Sequence, residues 1–341
     1  MLVANYFSNK DIRLEEVEIP SINEKEVLVE VIASGICGSD LMQWYKKDNL
    51  PKVLGHETSG KIIEVGSKVQ DYKIGERVVV SHHVPCMECR FCKKKLETMC
   101  ETLKSTNYYP GGFSQYLRMP EINTKYGIFK IPDDMSYEEA SFAEPLACVL
   151  RGQKKIGVSA NDSVVVIGAG ITGMLHIALA KALNASFIAA VDLKKNRLDL
   201  AEDFGADKVS TDVKELKDIL VKNTGRKADH IILTTGNTKA VLAALECVED
   251  GGKVLLFAPS EPGDNITLDL TKTFFKHDLT ITSTYANSPQ DLTDSLDIIG
   301  SGKIQVHKMI TNRLPLKDIQ KGFDLVSSGE DSLKVIIEPH S

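Results

Sequence analysis

No uninterrupted apolar stretch in the 341 residues approaches the roughly 18 that a membrane-spanning helix needs, so a helix spanning a membrane is not expected in it. The first residues, MLVANYFS, lack both a basic start and a long apolar core, so an export leader is not expected. There is no excess of positive charge: the formal net charge is -6, which argues against nucleic acid or an anionic membrane as the main partner. Local basic runs such as Arg90 to Lys95 read as a solvated loop. Internal repeats and low-complexity segments are also missing. The seven cysteines are an odd number, and four crowd into residues 86 to 100, a spacing that suits metal better than disulfides. A reducing, cytoplasmic setting is therefore expected.

What is present is a soluble, globular composition, 43% hydrophobic and 26% charged, in a chain too long for one ordinary core. Two domains are expected. In the first, Glu26 to Ala33, Ser59 to Gly66, Arg77 to Val80 and Gly111 to Met119 read as strands of a compact β-rich domain. Ser136, followed three residues later by Glu139, reads as a capping box opening a helix that runs towards Glu144 and Pro145.

Two clusters of metal-ligating residue types lie in this half. Cys37, His56 and Glu57 offer a thiolate, an imidazole and a carboxylate, and Glu144, a carboxylate in an otherwise small and apolar run, is a plausible fourth. Mixed ligation leaves room for a water or a substrate oxygen, so this ion is expected to act as a Lewis acid on an alcohol. Ser39 lies two residues after the cysteine, where its hydroxyl can reach the same oxygen and carry its proton away. Cys86, Cys89, Cys92 and Cys100 form the second cluster, all sulfur and thus coordinatively closed. They predict a structural zinc holding a lobe at about 84–102 that lacks a core of its own.

The second half changes character. Ser163 to Ile167 is a continuous apolar run, the pattern of a parallel strand buried on both faces. It ends in Gly168, Gly170 and Gly173, with Ile171 and Thr172 between the last two, and an apolar helix follows. A second strand, Phe187 to Val191, stops at Asp192, 19 residues past Gly173. Strand, glycine turn, helix, strand and acid together make the dinucleotide fingerprint. Asp192 favours NAD over NADP by taking the ribose hydroxyls and repelling a 2′-phosphate, and Arg197 is the nearby cation that weakens this preference. Strands and helices then alternate for about 120 residues, predicting a doubly wound parallel sheet of the Rossmann type. Thr235 lies just past a strand end, at the edge where cofactors bind.

Taken in order, the motifs GICGSD (35–40), GHE (55–57), the four cysteines, GGF (111–113), Glu144-Pro145, the glycine turn and Asp192 resemble the zinc-dependent medium-chain dehydrogenases, nearest the sorbitol, galactitol-phosphate and threonine dehydrogenase group. The resemblance spans essentially the whole chain. It implies a GroES-like catalytic domain at 1–145, a Rossmann domain at 146–284 and a return to the catalytic domain at 285–341. It also implies two zinc ions per chain, one catalytic and one structural. Cys37 and His56 are then ligands of the catalytic zinc, Glu57 and Glu144 alternate with water or substrate, Ser39 starts the proton relay, and Lys334 contacts a cofactor phosphate. The implied activity is oxidation of a secondary alcohol of a polyol, sugar derivative or hydroxy amino acid by a homodimer or homotetramer. Met42 stands where many relatives carry a relay histidine, so protons are expected to leave by Ser39, the nicotinamide ribose or water. A regulatory protein binding NAD(H) without turnover is the alternative. The pair His82-His83 has no assigned role.

Overall fold

Strands β1 (Leu2–Ser8), β2 (Asp11–Glu16), β3 (Val27–Gly35), β4 (Lys52–Val53), β5 (Glu57–Val65), β6 (Arg77–Val80), β7 (Tyr116–Met119) and β8 (Ile128–Lys130) come from the N-terminal part of the chain. Then follow β9 (Ser163–Ile167), β10 (Phe187–Val191), β11 (Lys208–Ser210), β12 (Ala228–Leu233), β13 (Val248–Leu256) and β14 (Thr280–Ser283), and finally β15 (Ile310–Pro315) and β16 (Lys334–Glu338). The computed structural model describes residues 1–46, 50–330 and 332–341. They divide into two units, Met1–Ala147 with Asn287–Ser341, and Cys148–Ala286.

In the first unit β3 is the hub. It pairs antiparallel with β5, β7 and β16 in a seven-stranded sheet ordered β15-β16-β3-β5-β6-β8, while β2-β1-β4 form a smaller sheet. Alternation explains the packing: Val27, Val29 and Val31 send every second side chain into a core shared with Ile62, Val78, Val80 and Leu117. The chain returns from the far end to complete this sheet, Ile336 lying opposite Gly35 and Ile337 opposite Ser34. That register brings a C-terminal strand beside the segment leading into Cys37.

Ser136 caps a helix as expected: its Oγ accepts from Glu139 N at 3.1 Å while the Glu139 carboxylate accepts from Ser136 N at 3.0 Å. The helix does not continue to Glu144. It ends at Ser141, and a second helix, Ala143–Ile156, starts after Phe142. Pro145 gives the reason, since a residue without an N–H is tolerated in the first turn of a helix but not in its interior. The basic run, expected as a loop, contains a helical turn at Arg90–Lys93, and Arg90, Lys93, Lys94 and Lys95 are exposed.

The second unit is a six-stranded sheet in the order β11-β10-β9-β12-β13-β14, every pairing parallel. Each residue of β9 and β10 is buried, as a strand covered by helices on both faces requires. Order reverses between β9 and β12, the switch point at which doubly wound sheets bind dinucleotides.

Candidate metal and cofactor sites

β3 delivers Cys37 at its end, and a 3₁₀ turn, Gly38–Leu41, folds Asp40 back beneath it. The Cys37 backbone N–H donates to Asp40 Oδ2 at 3.1 Å. Gly55, with φ +91°, turns the chain so that His56 meets the same spot at the start of β5; a Cβ there would sit 2.8 Å from the Phe113 nitrogen. Ligand atoms of Cys37, His56 and Glu57 all lie within 4.8 Å of one another. His56 Nδ1 is 3.3 Å from Asp40 Oδ1, which leaves Nε2 as the nitrogen for an ion. Burial would raise the Asp40 carboxyl, but the His56 and Lys46 charges and the Cys37 N–H hold it below the usual range. Burial opposes a proton on His56, yet Asp40 and Cys37 together lift its pKa well above the ordinary value. One thiolate, one imidazole and one carboxylate, in a spot whose field favours a cation, fit zinc with a position left open.

Glu57 is 1% exposed and receives the ammonium of Lys334, itself fully buried, which also donates to the Ile36 carbonyl at 3.3 Å. Gly35 makes room for the pair, since a Cβ there would lie 2.1 Å from Glu57 Oε2 and 2.6 Å from Lys334 Cε. Lys334, expected at a cofactor phosphate, is thus spent on a carboxylate of the metal trio. Glu144 stands outside the trio; its Oε1 accepts from Asn287 Nδ2 at 3.0 Å. Ser39 Oγ donates to the Cys37 sulfur at 3.4 Å. Behind the site a buried chain of hydroxyls runs from Ser34 through Thr58 to Tyr108, which donates to the Gly55 carbonyl at 3.1 Å. Burial, with the negative charges of Glu144, Asp40 and Glu57, pushes the Tyr108 hydroxyl far up.

Sequence reasoning quoted Asp40 within its motif without giving it a role; the signal was its i,i+3 spacing from Cys37. It also left His82 unassigned. That ring packs 5.0 Å from the ring of His56 and 3.9 Å from that of His83. Burial and the neighbouring His83, His56 and Lys46 keep His82 neutral, its pKa well below the usual value.

The four sulfurs of Cys86, Cys89, Cys92 and Cys100 lie within 4.8 Å of one another, and all are free thiols. Cys89 and Cys92 are 3.6 Å apart, as are Cys86 and Cys100, far beyond a disulfide bond. Met87 and Lys95, with φ of 61° and 59°, supply the turns that bring the sulfurs together. Burial raises Cys100, but N–H groups of Cys86 and Leu103 bring it down to about 6. A closed set of four thiols fits a structural zinc.

In the second unit Gly168 has φ +101°, and a Cβ on Gly173 would lie 1.9 Å from the Gly168 carbonyl oxygen. Gly170 caps the helix Ile171–Ala182, and the nearest atom to a Cβ there is Arg197 Nη1 at 3.9 Å, so the backbone of Gly170, Ile171 and Thr172 is approachable. Thr234, which the sequence reading did not single out, donates to the Gly168 carbonyl at 2.6 Å and ties the turn to β12. Its neighbour Thr235 is half-buried at the strand end. Asp192 accepts from Ala169 N at 2.7 Å and from Lys194 N at 2.9 Å, with Arg197 Nη1 at 3.8 Å. The turn offers helix amides to a pyrophosphate and a carboxylate beyond β10 to a ribose.

Residues 23–133 match the alcohol dehydrogenase GroES-like domain and residues 172–301 the zinc-binding dehydrogenase domain. The chain is 33% identical over 334 residues to L-threonine 3-dehydrogenase of Bacillus licheniformis, covering 95% of this chain and 94% of that one. It is 30% identical to sorbitol dehydrogenase of Bacillus subtilis, covering 100% and 98%. Among solved structures, an alcohol dehydrogenase of Thermotoga maritima superposes with a TM-score of 0.90 at 27% identity, over 99% of each chain. A mixed-ligand metal trio, a four-thiol lobe and a dinucleotide turn, matched by relatives over nearly their full length, place this chain in the zinc-dependent medium-chain dehydrogenases.

Proposed function

We propose that this chain is an NAD-dependent zinc dehydrogenase that oxidises a secondary alcohol of a polyol, a sugar derivative or a hydroxy amino acid. The observation that carries it is the convergence of Cys37, His56 and Glu57 within 4.8 Å, with His56 oriented by buried Asp40. The relatives named for threonine and sorbitol support the substrate range. When bound, zinc supplies Lewis acidity that acidifies an alcohol, and NAD supplies the hydride acceptor.

The residues do the remainder. Cys37 and His56 would hold the ion; the buried Asp40 carboxylate, with Oδ1 3.3 Å from His56 Nδ1, orients the imidazole by its charge. Glu57, paired with Lys334, and Glu144, bonded by Asn287, are the carboxylates available to complete the shell. Ser39 is half-buried two residues from Cys37, placed to receive the alcohol proton and pass it outward. Gly168, Gly170, Ile171, Thr172 and Gly173 hold the pyrophosphate, Thr235 lines the same edge, and Asp192 selects NAD, with Arg197 beside it. Cys86, Cys89, Cys92 and Cys100 hold the structural zinc. Free thiols throughout support a reducing, cytoplasmic setting. Exposed Leu270, Phe275 and Ile266 on the second unit support a homodimer or homotetramer. Nothing observed favours a regulatory protein without turnover.

A panel of alcohols and polyols with NAD and with NADP, read at the absorbance band of the reduced nicotinamide, tests the reading. Turnover with NAD is expected, with loss in Cys37→Ser and His56→Ala. Full turnover in both variants would overturn it.

A further inference from the structure

A buried row of hydroxyls ends on the turn that carries His56, and the reaction itself makes no use of it. Ser34 and Thr58 lie opposite one another in the register of β3 and β5, the two strands that present Cys37 and His56. Their hydroxyls are 3.1 Å apart, Thr58 Oγ1 is 3.0 Å from the Tyr108 hydroxyl, and all three residues are buried. Proton counting gives the row a direction. Tyr108 has one hydroxyl proton and donates it to the Gly55 carbonyl at 3.1 Å, so it accepts from Thr58, which in turn accepts from Ser34. Every donor points towards Gly55.

The carbonyl of Gly55 shares a peptide plane with the nitrogen and Cα of His56, so whatever holds that oxygen holds the root of the imidazole. Two donors do so, Tyr108 and the Gly112 N–H at 3.0 Å. The plane needs holding, because Gly55 sits at φ +91° with no side chain to restrict it. Tyr108 is a firm point to hold it from. Its ring packs in the core with Val27, Val29 and Leu117, and the next residue, Tyr109, exchanges backbone hydrogen bonds of 3.0 and 2.7 Å with Arg118. Burial pushes the Tyr108 hydroxyl far up, which keeps it protonated and therefore a donor. Packing alone does not call for the row. Phe at 108 and Val at 58 would occupy similar space with no hydroxyl to satisfy in the interior.

We propose that Tyr108 is a positioning residue for the metal ligand His56, acting through the Gly55 carbonyl, and that the hydroxyl row holds Cys37 and His56 at the separation an ion requires. Tyr108 touches neither ion nor substrate. The inference rests on the metal-site reading above and adds what sets the grip of that site.

Two variants of the full-length protein test it. Tyr108→Phe keeps the ring and removes the donor; the triple variant Ser34→Ala, Thr58→Val, Tyr108→Phe removes the whole row and strands no hydroxyl. By chelator competition, Tyr108→Phe should bind zinc at Cys37 and His56 about 10-fold or more weakly than the parent, with the four-thiol site unchanged. The visible absorption of cobalt placed in the catalytic site, which follows ligand geometry, should differ from that of the parent. In urea unfolding of the metal-free protein, Tyr108→Phe should lose stability and the triple variant should recover most of it, because no buried partner is then left unpaired. Zinc affinity at the catalytic site should stay low in the triple variant. Unchanged zinc affinity or an unchanged cobalt spectrum in Tyr108→Phe, equal weakening of the four-thiol site, or affinity that recovers together with stability in the triple variant would each overturn the proposal while the metal reading stands. A parent protein that binds no zinc at Cys37 and His56 would remove that reading and this inference together.

Discussion

Asp40 carries no bond to substrate or ion in this account, yet its buried carboxylate lies 3.3 Å from His56 Nδ1 and favours the imidazole turning its other nitrogen to the ion. Replacing it with Asn keeps the shape and removes the charge that orients and enriches the imidazole. Asp40→Asn is expected to weaken zinc binding at the catalytic site by about 10- to 100-fold, measured by chelator competition, with the four-thiol site unaffected. Equal affinity in parent and variant would show that the 3.3 Å contact is incidental. Lys334 makes a complementary case. Its removal in Lys334→Met strands a buried carboxylate, so the metal-free protein should lose about 3–5 kcal/mol in denaturant unfolding. A loss below about 1 kcal/mol would mean that Glu57 finds another partner. Such pairs are hard to read from sequence because they are tertiary. Glu57 and Lys334 are separated by 277 residues and meet only because β16 docks on β3. Cys37, His56 and the four lobe cysteines were legible because metal chemistry restricts ligand types and spacing.

At the scale of elements, the lobe of residues 86–100 depends on its metal, since Cys92 and Cys100 are among its few buried side chains. Cys92→Ser should lower zinc content by one per chain and open this segment to limited proteolysis, read by peptide mass mapping. Retention of both zinc ions and of protease resistance would contradict the structural assignment. The helix Ile171–Ala182 hides His176, fully buried, bonded through Nδ1 to Gln153 at 3.2 Å and packed edge-on against Phe257. Burial drops its pKa from 6.5 to about 3. The unfolded chain takes up a proton below 6.5 that the folded one refuses, so this histidine costs no stability above that pH and removes it progressively as pH falls towards 3. Between pH 6 and pH 4.5 the parent should lose stability more steeply than His176→Gln, by about 1.4 kcal/mol per pH unit at most. Identical slopes in urea unfolding would show that His176 titrates normally. Elements with strong apolar runs, such as β9 and β10, were readable for the same reason that they are buried on both faces. β2, with the sequence DIRLEE, alternates at Ile12 and Leu14, but it is mostly exposed and short, and the sequence reading did not single it out. The break at Phe142 was missed because Pro145 reads equally well as the end of one helix or the first turn of the next.

Over the whole molecule, the sequence divides its labour between a discontinuous β-rich unit that gathers metal ligands and a parallel sheet whose switch point holds a glycine turn. That C-terminal residues return to the first unit leaves no local trace in the sequence, because the strands pair across about 300 residues. The cofactor turn is local and was legible entire, whereas its anchor Thr234 needed the sheet to place it. Among the described residues no helix is long and apolar enough to cross a membrane.

A crystal of the purified protein, with anomalous scattering recorded on either side of the zinc absorption edge, tests the central claim most directly. Two zinc peaks per chain are predicted. One should be enclosed by the four lobe sulfurs, and the other should lie about 2.3 Å from Cys37 Sγ and about 2.1 Å from His56 Nε2. A single peak in the lobe, with Cys37 and His56 bound to no metal in fully zinc-loaded protein, would contradict the account.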